Sequence, residues 1–209
     1  MRSTFNIVFS AFLALVILSG CSSLHSPSSV SSNTAPQTIL DRNQQLLALQ
    51  QWKIKGKIAF IQGKQRESAS LQWQYKNEDK SQQIHLNTYL GINILHLESQ
   101  QNWHKIEVDG KVYYGDNLEQ LIYSLTELTL PTSALLYWLK GLPYQAKDHI
   151  IYNEITQLPE SLTSQYNGND WTINYDKYQQ INNYNLATNF TIKQNDLLIK
   201  IAIKEWILY

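Results

Sequence analysis

From Gln51 onward the chain is dominated by a period of two. Trp52, Ile54, Ile58 and Phe60 alternate with Lys53, Lys55, Lys57 and Ala59, and Ala69, Leu71, Trp73 and Tyr75 alternate with Ser68, Ser70, Gln72 and Gln74. That period belongs to strands with one face buried and one face in water, and two such neighbours predict an antiparallel meander. Further strands are expected at 83–87, 92–98, 105–108, 111–114, 150–152, 160–166, 171–175, 189–193 and 197–203. Asp109-Gly110 and Asn167-Gly168 supply the residue pairs that favour positive φ in tight hairpins.

Three stretches carry the helical period instead. Ile39, Leu46, Leu47 and Leu49 form an imperfect apolar stripe over 38–50. Asp116 with Glu119 reads as a capping box ahead of Leu118, Leu121, Ile122 and Leu125, and a third helix is expected from Pro131-Thr132-Ser133 to Gly141, followed by Pro143. About ten strands with helices inserted midway predict a mainly β fold: a large, curled antiparallel sheet closed by helices. Periodicity alone leaves two interiors open, a filled barrel or a ligand cavity. Ile58, Phe60, Leu71, Trp73, Ile84 and Leu86 are the candidate lining of a cavity, with core packing the equal alternative. Leu135, Trp138 and Leu139 share one face of the third helix and are candidates for a lid.

The N-terminal segment has a different character. Arg2 precedes an apolar run from Phe5 to Leu18 of about 14 residues, too short for the about 20 needed to span a bilayer, and a polar stretch begins at Ser22. Leu18-Ser19-Gly20-Cys21 resembles the lipobox of bacterial lipoproteins, where small residues expose the bond before a cysteine whose sulfur carries diacylglycerol. Residues 1–20 are therefore expected to be a signal peptide and Cys21 a lipid anchor. Residues 21–37, Ser-rich with Pro27 and Pro36, are expected to be a flexible tether, and 38–209 a single domain. Cys21 is the sole cysteine, so the body must be stabilised by its core rather than by disulfides.

Charge excludes one class of partner. With Arg2 removed, the 17 basic side chains become 16 against 17 acidic ones, which leaves no electrostatic footprint for nucleic acid. The surplus lies in 13 Tyr and 6 Trp, large apolar faces with polar tips suited to a wide pocket or an interface. His85, His96, His104 and His149 fall at spacings unlike a zinc motif, and no nucleophile elbow, phosphate loop or dinucleotide fingerprint occurs. Neither a metal, a cofactor nor enzymatic activity is expected.

The segment Leu130-Pro131-Thr132-Ser133-Ala134-Leu135-Leu136-Tyr137-Trp138-Leu139-Lys140-Gly141-Leu142-Pro143 resembles the LolB family of outer-membrane lipoprotein receptors. Gly56-Lys57-Ile58-Ala59, Ser70-Leu71-Gln72-Trp73, Tyr89-Leu90-Gly91, Asn167-Gly168 before Trp171, and Trp206-Ile207 follow in the order the family has them. Tyr89 stands where the family usually has Pro, and Leu186-Ala187 where it has Leu-Pro. The resemblance implies an incomplete, strongly curved antiparallel β-barrel with an apolar cavity closed by helices, like that of the periplasmic carrier LolA. It further implies a receptor, anchored in the inner leaflet of the outer membrane and facing the periplasm, that accepts acylated lipoproteins from LolA and passes them into outer-membrane phospholipid. Leu90, between Tyr89 and Gly91, would be the exposed loop leucine used in delivery. The expected state is monomeric. A lipoprotein binding another amphiphile, such as glycolipid or lipopolysaccharide, and a structural lipoprotein with a filled barrel are the rival readings.

Overall fold

A computed structural model describes residues 38–209. The signal segment, Cys21 and the proposed tether lie outside the described residues. A helix, α1 (Ile39–Ala48), leads into six strands, β1 (Gln51–Gln62), β2 (Gln65–Lys76), β3 (Ser81–Asn87), β4 (Asn93–Gln100), β5 (Trp103–Val108) and β6 (Lys111–Gly115). Two helices follow, α2 (Leu118–Thr126) and α3 (Thr132–Trp138). Five strands complete the chain: β7 (His149–Tyr152), β8 (Pro159–Tyr166), β9 (Asn169–Ile181), β10 (Tyr184–Gln194) and β11 (Leu197–Leu208).

All eleven strands form one antiparallel sheet in the order β6-β5-β4-β3-β2-β1-β11-β10-β9-β8-β7. The first and last strands meet along a long seam, Trp52 opposite Leu208 to Gln62 opposite Leu197, so two meanders become two wings of one curved surface. β6 and β7 are its edges, which makes the barrel incomplete. Both predicted hairpin pairs take positive φ, 51° and 71° at Asp109-Gly110 and 49° and 76° at Asn167-Gly168, as tight turns between right-twisted strands require.

The helices occupy the space the open sheet leaves. α2 packs Leu118, Leu121 and Ile122 against Leu97 and Ile106 of the first wing. α3 is held to the second wing, where Trp138 lies 6.0 Å from Trp171 and the Tyr175 hydroxyl donates to the Trp138 carbonyl at 2.9 Å. A third link crosses the opening: Glu119 of α2 accepts from the Tyr166 hydroxyl at 3.0 Å and from Asn167 Nδ2 at 3.1 Å.

Two of the sequence boundaries shift for local reasons. The cap of α2 is Asn117, whose side chain accepts from the Gln120 amide at 3.0 Å, one residue later than the Asp116–Glu119 box. β9 and β10 run well beyond their apolar cores because their outer halves pair by backbone from Ile181 opposite Tyr184 inward, around Asn182 at φ 53°. Gln179 and Gln180, exposed there, carry no burial period that could have announced a strand.

α1 is fastened to the turn after α3 by three hydrogen bonds from two cations, one on each side. Arg42, buried, donates to the carbonyls of Lys140 at 2.9 Å and Gly141 at 3.3 Å, while Lys140 Nζ donates to the Leu46 carbonyl at 3.1 Å. Burial pushes the Lys140 ammonium down to about 8. Between about pH 8 and the unfolded value near 10.5 the unfolded chain binds more protons than the folded one, so stability rises with pH across that window. Burial raises Tyr166, Tyr175 and Tyr178 above their ordinary 10, so stability falls again once unfolded tyrosines ionise. Denaturant titrations should therefore show greatest stability between about pH 9 and 10. Lys140→Met should remove the rising limb; an unchanged limb in that variant would assign it to another group.

Candidate functional site

Between the sheet and the helices lies a cavity of about 270 Å³. Strand alternation builds its sheet wall. Ile58 and Phe60 on β1, Leu71 and Trp73 on β2, and Ile84 and Leu86 on β3 project to the same concave face and line it. These are the six residues nominated from the strand period. Leu95 and Leu97 on β4, Ile192 on β10, and Ile199 and Ile201 on β11 extend the wall across both wings. The last five share the same apolar phase in sequence, but nothing in that phase tells which wing faces a space and which faces packed neighbours.

The helical wall differs from the expected lid. Leu135 of α3 lines the cavity, whereas Trp138 and Leu139 are buried in the packed core and do not. Trp138 turns toward Trp171 and Tyr166, with its indole N–H on Asp148 at 3.3 Å, because the helix is docked onto β8 and β9. The helical side also carries Leu118, Ile122 and Thr126 of α2, Leu128 and Leu130 of the connection after it, and Thr132 at the start of α3, while Gln82 of β3 borders the chamber from the sheet. Here the helical period identified a buried stripe but not what the stripe was buried against.

The interior is not a filled core. Ile58, Phe60, Ile84 and Leu86 are only partly buried although they point inward, and the surface they present is apolar. Below them the true core closes around Trp52, with Trp73 at 5.5 Å and Trp206 at 5.6 Å in edge contacts. Such a chamber withdraws hydrocarbon from water without supplying ionic partners, at about 25 cal/mol per Å² of apolar surface covered. Glu67, exposed and opposite Phe60 on β2, stands at one end of the lining.

Tyr89, Leu90 and Gly91 lie apart from this chamber, at the tip of the β3–β4 loop. The Thr88 amide donates to the Ile92 carbonyl at 2.8 Å, the Gly91 amide returns to the Thr88 carbonyl at 3.0 Å, and Gly91 takes φ +85°. The turn pushes Leu90 into solvent at 83% exposure, flanked by exposed Tyr89 and Ile92. The histidines are dispersed: His85 and His96 stack at 4.1 Å on neighbouring strands, with His85 on the face opposite the cavity-lining Ile84 and Leu86, His104 bonds Ser99, and His149 lies on edge strand β7. The lysine stripe of β1 is partly compensated, since Lys55 pairs with Glu205 across the seam at 2.8 Å.

A half-closed antiparallel barrel with helices over an apolar chamber defines a carrier of hydrocarbon chains. The chain belongs to the LolB family: the model of "Outer membrane lipoprotein LolB" matches residues 50–206. The outer-membrane lipoprotein LolB of Psychromonas ingrahamii is 35% identical over 196 residues, which is 93% of this chain and 92% of that protein. That of Photorhabdus laumondii is 29% identical over 195 residues, again 93% and 92%. The fold is also that of a LolA-superfamily protein from Nitrosomonas europaea, with TM-score 0.54 at 8% identity over 83% of this chain and 93% of that one.

Proposed function

We propose that this protein is a lipoprotein receptor of the outer membrane: it takes the acyl chains of a lipoprotein from a periplasmic carrier of the LolA type into the apolar chamber and releases them into the inner leaflet of the outer membrane. The observation that carries this reading is the chamber, walled by both wings of the sheet and by α2, with an apolar surface throughout. Each methylene moved from water into it contributes about 0.8 kcal/mol, so transfer can run from a weaker to a stronger apolar site with no covalent step. Cys21 is the lipid anchor that keeps the receptor on the membrane, and Tyr89-Leu90-Gly91 is the element that meets lipid during release. The receptor acts as a monomer on acylated cargo.

At about 270 Å³ the chamber lies just below the usual range of ligand pockets, so a full acyl cargo enters only as the helical wall moves outward. Filling the space should therefore compete with uptake. In a mixture of carrier charged with a lipoprotein and the receptor body lacking Cys21, cargo is expected to pass to the receptor. Leu86→Trp, which places a larger ring in the chamber from a partly buried strand position, is expected to lower that uptake severalfold with the fold retained. Cargo that stays on the carrier in both cases, or a co-purified amphiphile other than lipoprotein that blocks the chamber, would overturn the reading.

A further inference from the structure

The concave face of the first wing changes character from one end of its strands to the other. Cross-strand register sets three rows on that face: Leu71, Leu86, Leu95 and Val108; then Trp73, Ile84, Leu97 and Ile106; then Tyr75, Gln82, Ser99 and His104. The first two rows are apolar and the third is polar. Within the third, Ser99 Oγ and His104 Nδ1 satisfy each other at 2.8 Å, and the Tyr75 hydroxyl donates to Asn77 at 2.9 Å.

Gln82 is different. It is 8% exposed, and its Oε1 accepts from the Trp73 indole N–H at 3.1 Å. An indole nitrogen can only donate, so the amide oxygen must face Trp73 and the NH2 group must face away. That NH2 makes no hydrogen bond among the described residues. The NH2 group keeps contact with solvent at this boundary, so a ligand that covers it must supply an acceptor or strand the donor. Gln82 lines the apolar chamber and also a polar crevice of about 400 Å³ that shares Leu118 and Thr132 with it. The crevice is bordered by Lys80, Asp116, Asn117 and Glu119, groups suited to a hydrated head rather than to hydrocarbon.

We propose that Gln82, oriented by Trp73, donates to the carbonyl at the head of a bound acyl chain, so that the chain lies in the chamber and the glyceryl-cysteinyl head of the lipoprotein lies in the polar crevice. This rests on the receptor function above and assigns within it a residue that recognises the ester rather than the hydrocarbon. An acyl ester or amide carries its carbonyl where chain joins head, which is where Gln82 stands between the two compartments. A ligand of the same chain length without that carbonyl would leave the NH2 group buried and unpaired.

The test uses the full mature chain in lipid nanodiscs, titrated with a fluorescent S-diacylglyceryl-cysteinyl lipopeptide and with its dialkyl-ether counterpart, binding to empty nanodiscs being subtracted. The expected result is about tenfold tighter binding of the ester than of the ether, a preference that Gln82→Leu abolishes by weakening the ester alone. Trp73→Phe, which keeps Gln82 and frees its amide to turn, should lose part of the same preference, and so guards against misfolding of the first variant. Equal binding of ester and ether by the unaltered protein, or equal weakening of both by Gln82→Leu, overturns the proposal while leaving the receptor function standing. Absence of binding to either ligand overturns the receptor function itself. A third arm with a diacyl phosphatidylethanolamine separates sources: Gln82-dependent preference there and none with the lipopeptide would reassign the donor to phospholipid and overturn the lipoprotein assignment.

Discussion

Leu90→Glu should accept cargo as the unaltered receptor does and fail to deliver it. Leu90 stands at the tip of a turn closed by two backbone bonds, contributes nothing to the chamber wall, and is exposed together with Tyr89 and Ile92. Its replacement therefore leaves the acyl site and the strand register untouched. A carboxylate at that tip resists burial in hydrocarbon, where an ionised group costs several kcal/mol at least unless it neutralises, so a step that requires the tip to enter lipid should slow by about tenfold or more. The measurement has two stages: cargo counted on the receptor after mixing with charged carrier, then cargo counted in added liposomes. Equal loss at both stages would place Leu90 in the chamber or the fold, and loss at neither would remove the loop from delivery. With Tyr89 at this position, the geometry of the turn rests on the Thr88–Ile92 bond and on Gly91 at φ +85°.

Gly56→Ala should damage the whole protein more than any single loss of an interior methyl group. A Cβ built at Gly56 would stand 2.1 Å from the Ala202 carbonyl oxygen and 2.9 Å from Ile203 Cα. Both neighbours are backbone of β11, so neither can turn aside, and the register of β1 on β11 already shifts between Lys55 and Gly56. The seam that joins the two wings would have to part at its middle. Overpacking of this kind costs about 3 kcal/mol or more where no side chain can yield. A chemical denaturation midpoint well below that of the unaltered protein, with weakened binding of an apolar fluorophore, is the expected outcome; an unchanged midpoint would mean that the seam adjusts freely.

The legible part of the fold follows from the period of two. Because alternate side chains must point to opposite faces, the six residues nominated on β1, β2 and β3 had to share a face, and the turn pairs at 109–110 and 167–168 had to reverse the chain. Gly56 was visible only as one letter of a motif; the close approach that demands it comes from a strand about 150 residues away in sequence, Ala202 and Ile203. Gln82 lay just outside the strand expected at 83–87, and its meaning depends on an indole across the hairpin. The outer halves of β9 and β10 were silent because they pair through backbone groups that carry no sequence signature.

By itself, then, the chain's residue order determined its elements, their antiparallel succession, the inward face of each strand and the membership of a family, since these follow from local propensity, period and ordered motifs. Tertiary structure alone decided that the inward faces enclose a space. Leu135 and Trp138 belong to the same short helix, yet one lines the chamber and the other is sealed against Trp171. An apolar side chain has the same reason to leave water in either case; whether it then meets a neighbour or a void depends on the curvature of the sheet and on where α2 and α3 dock. Those are set by the β1–β11 seam, by Glu119 with Tyr166, and by Tyr175 on the Trp138 carbonyl, contacts between segments far apart in the chain whose partners no local pattern specifies.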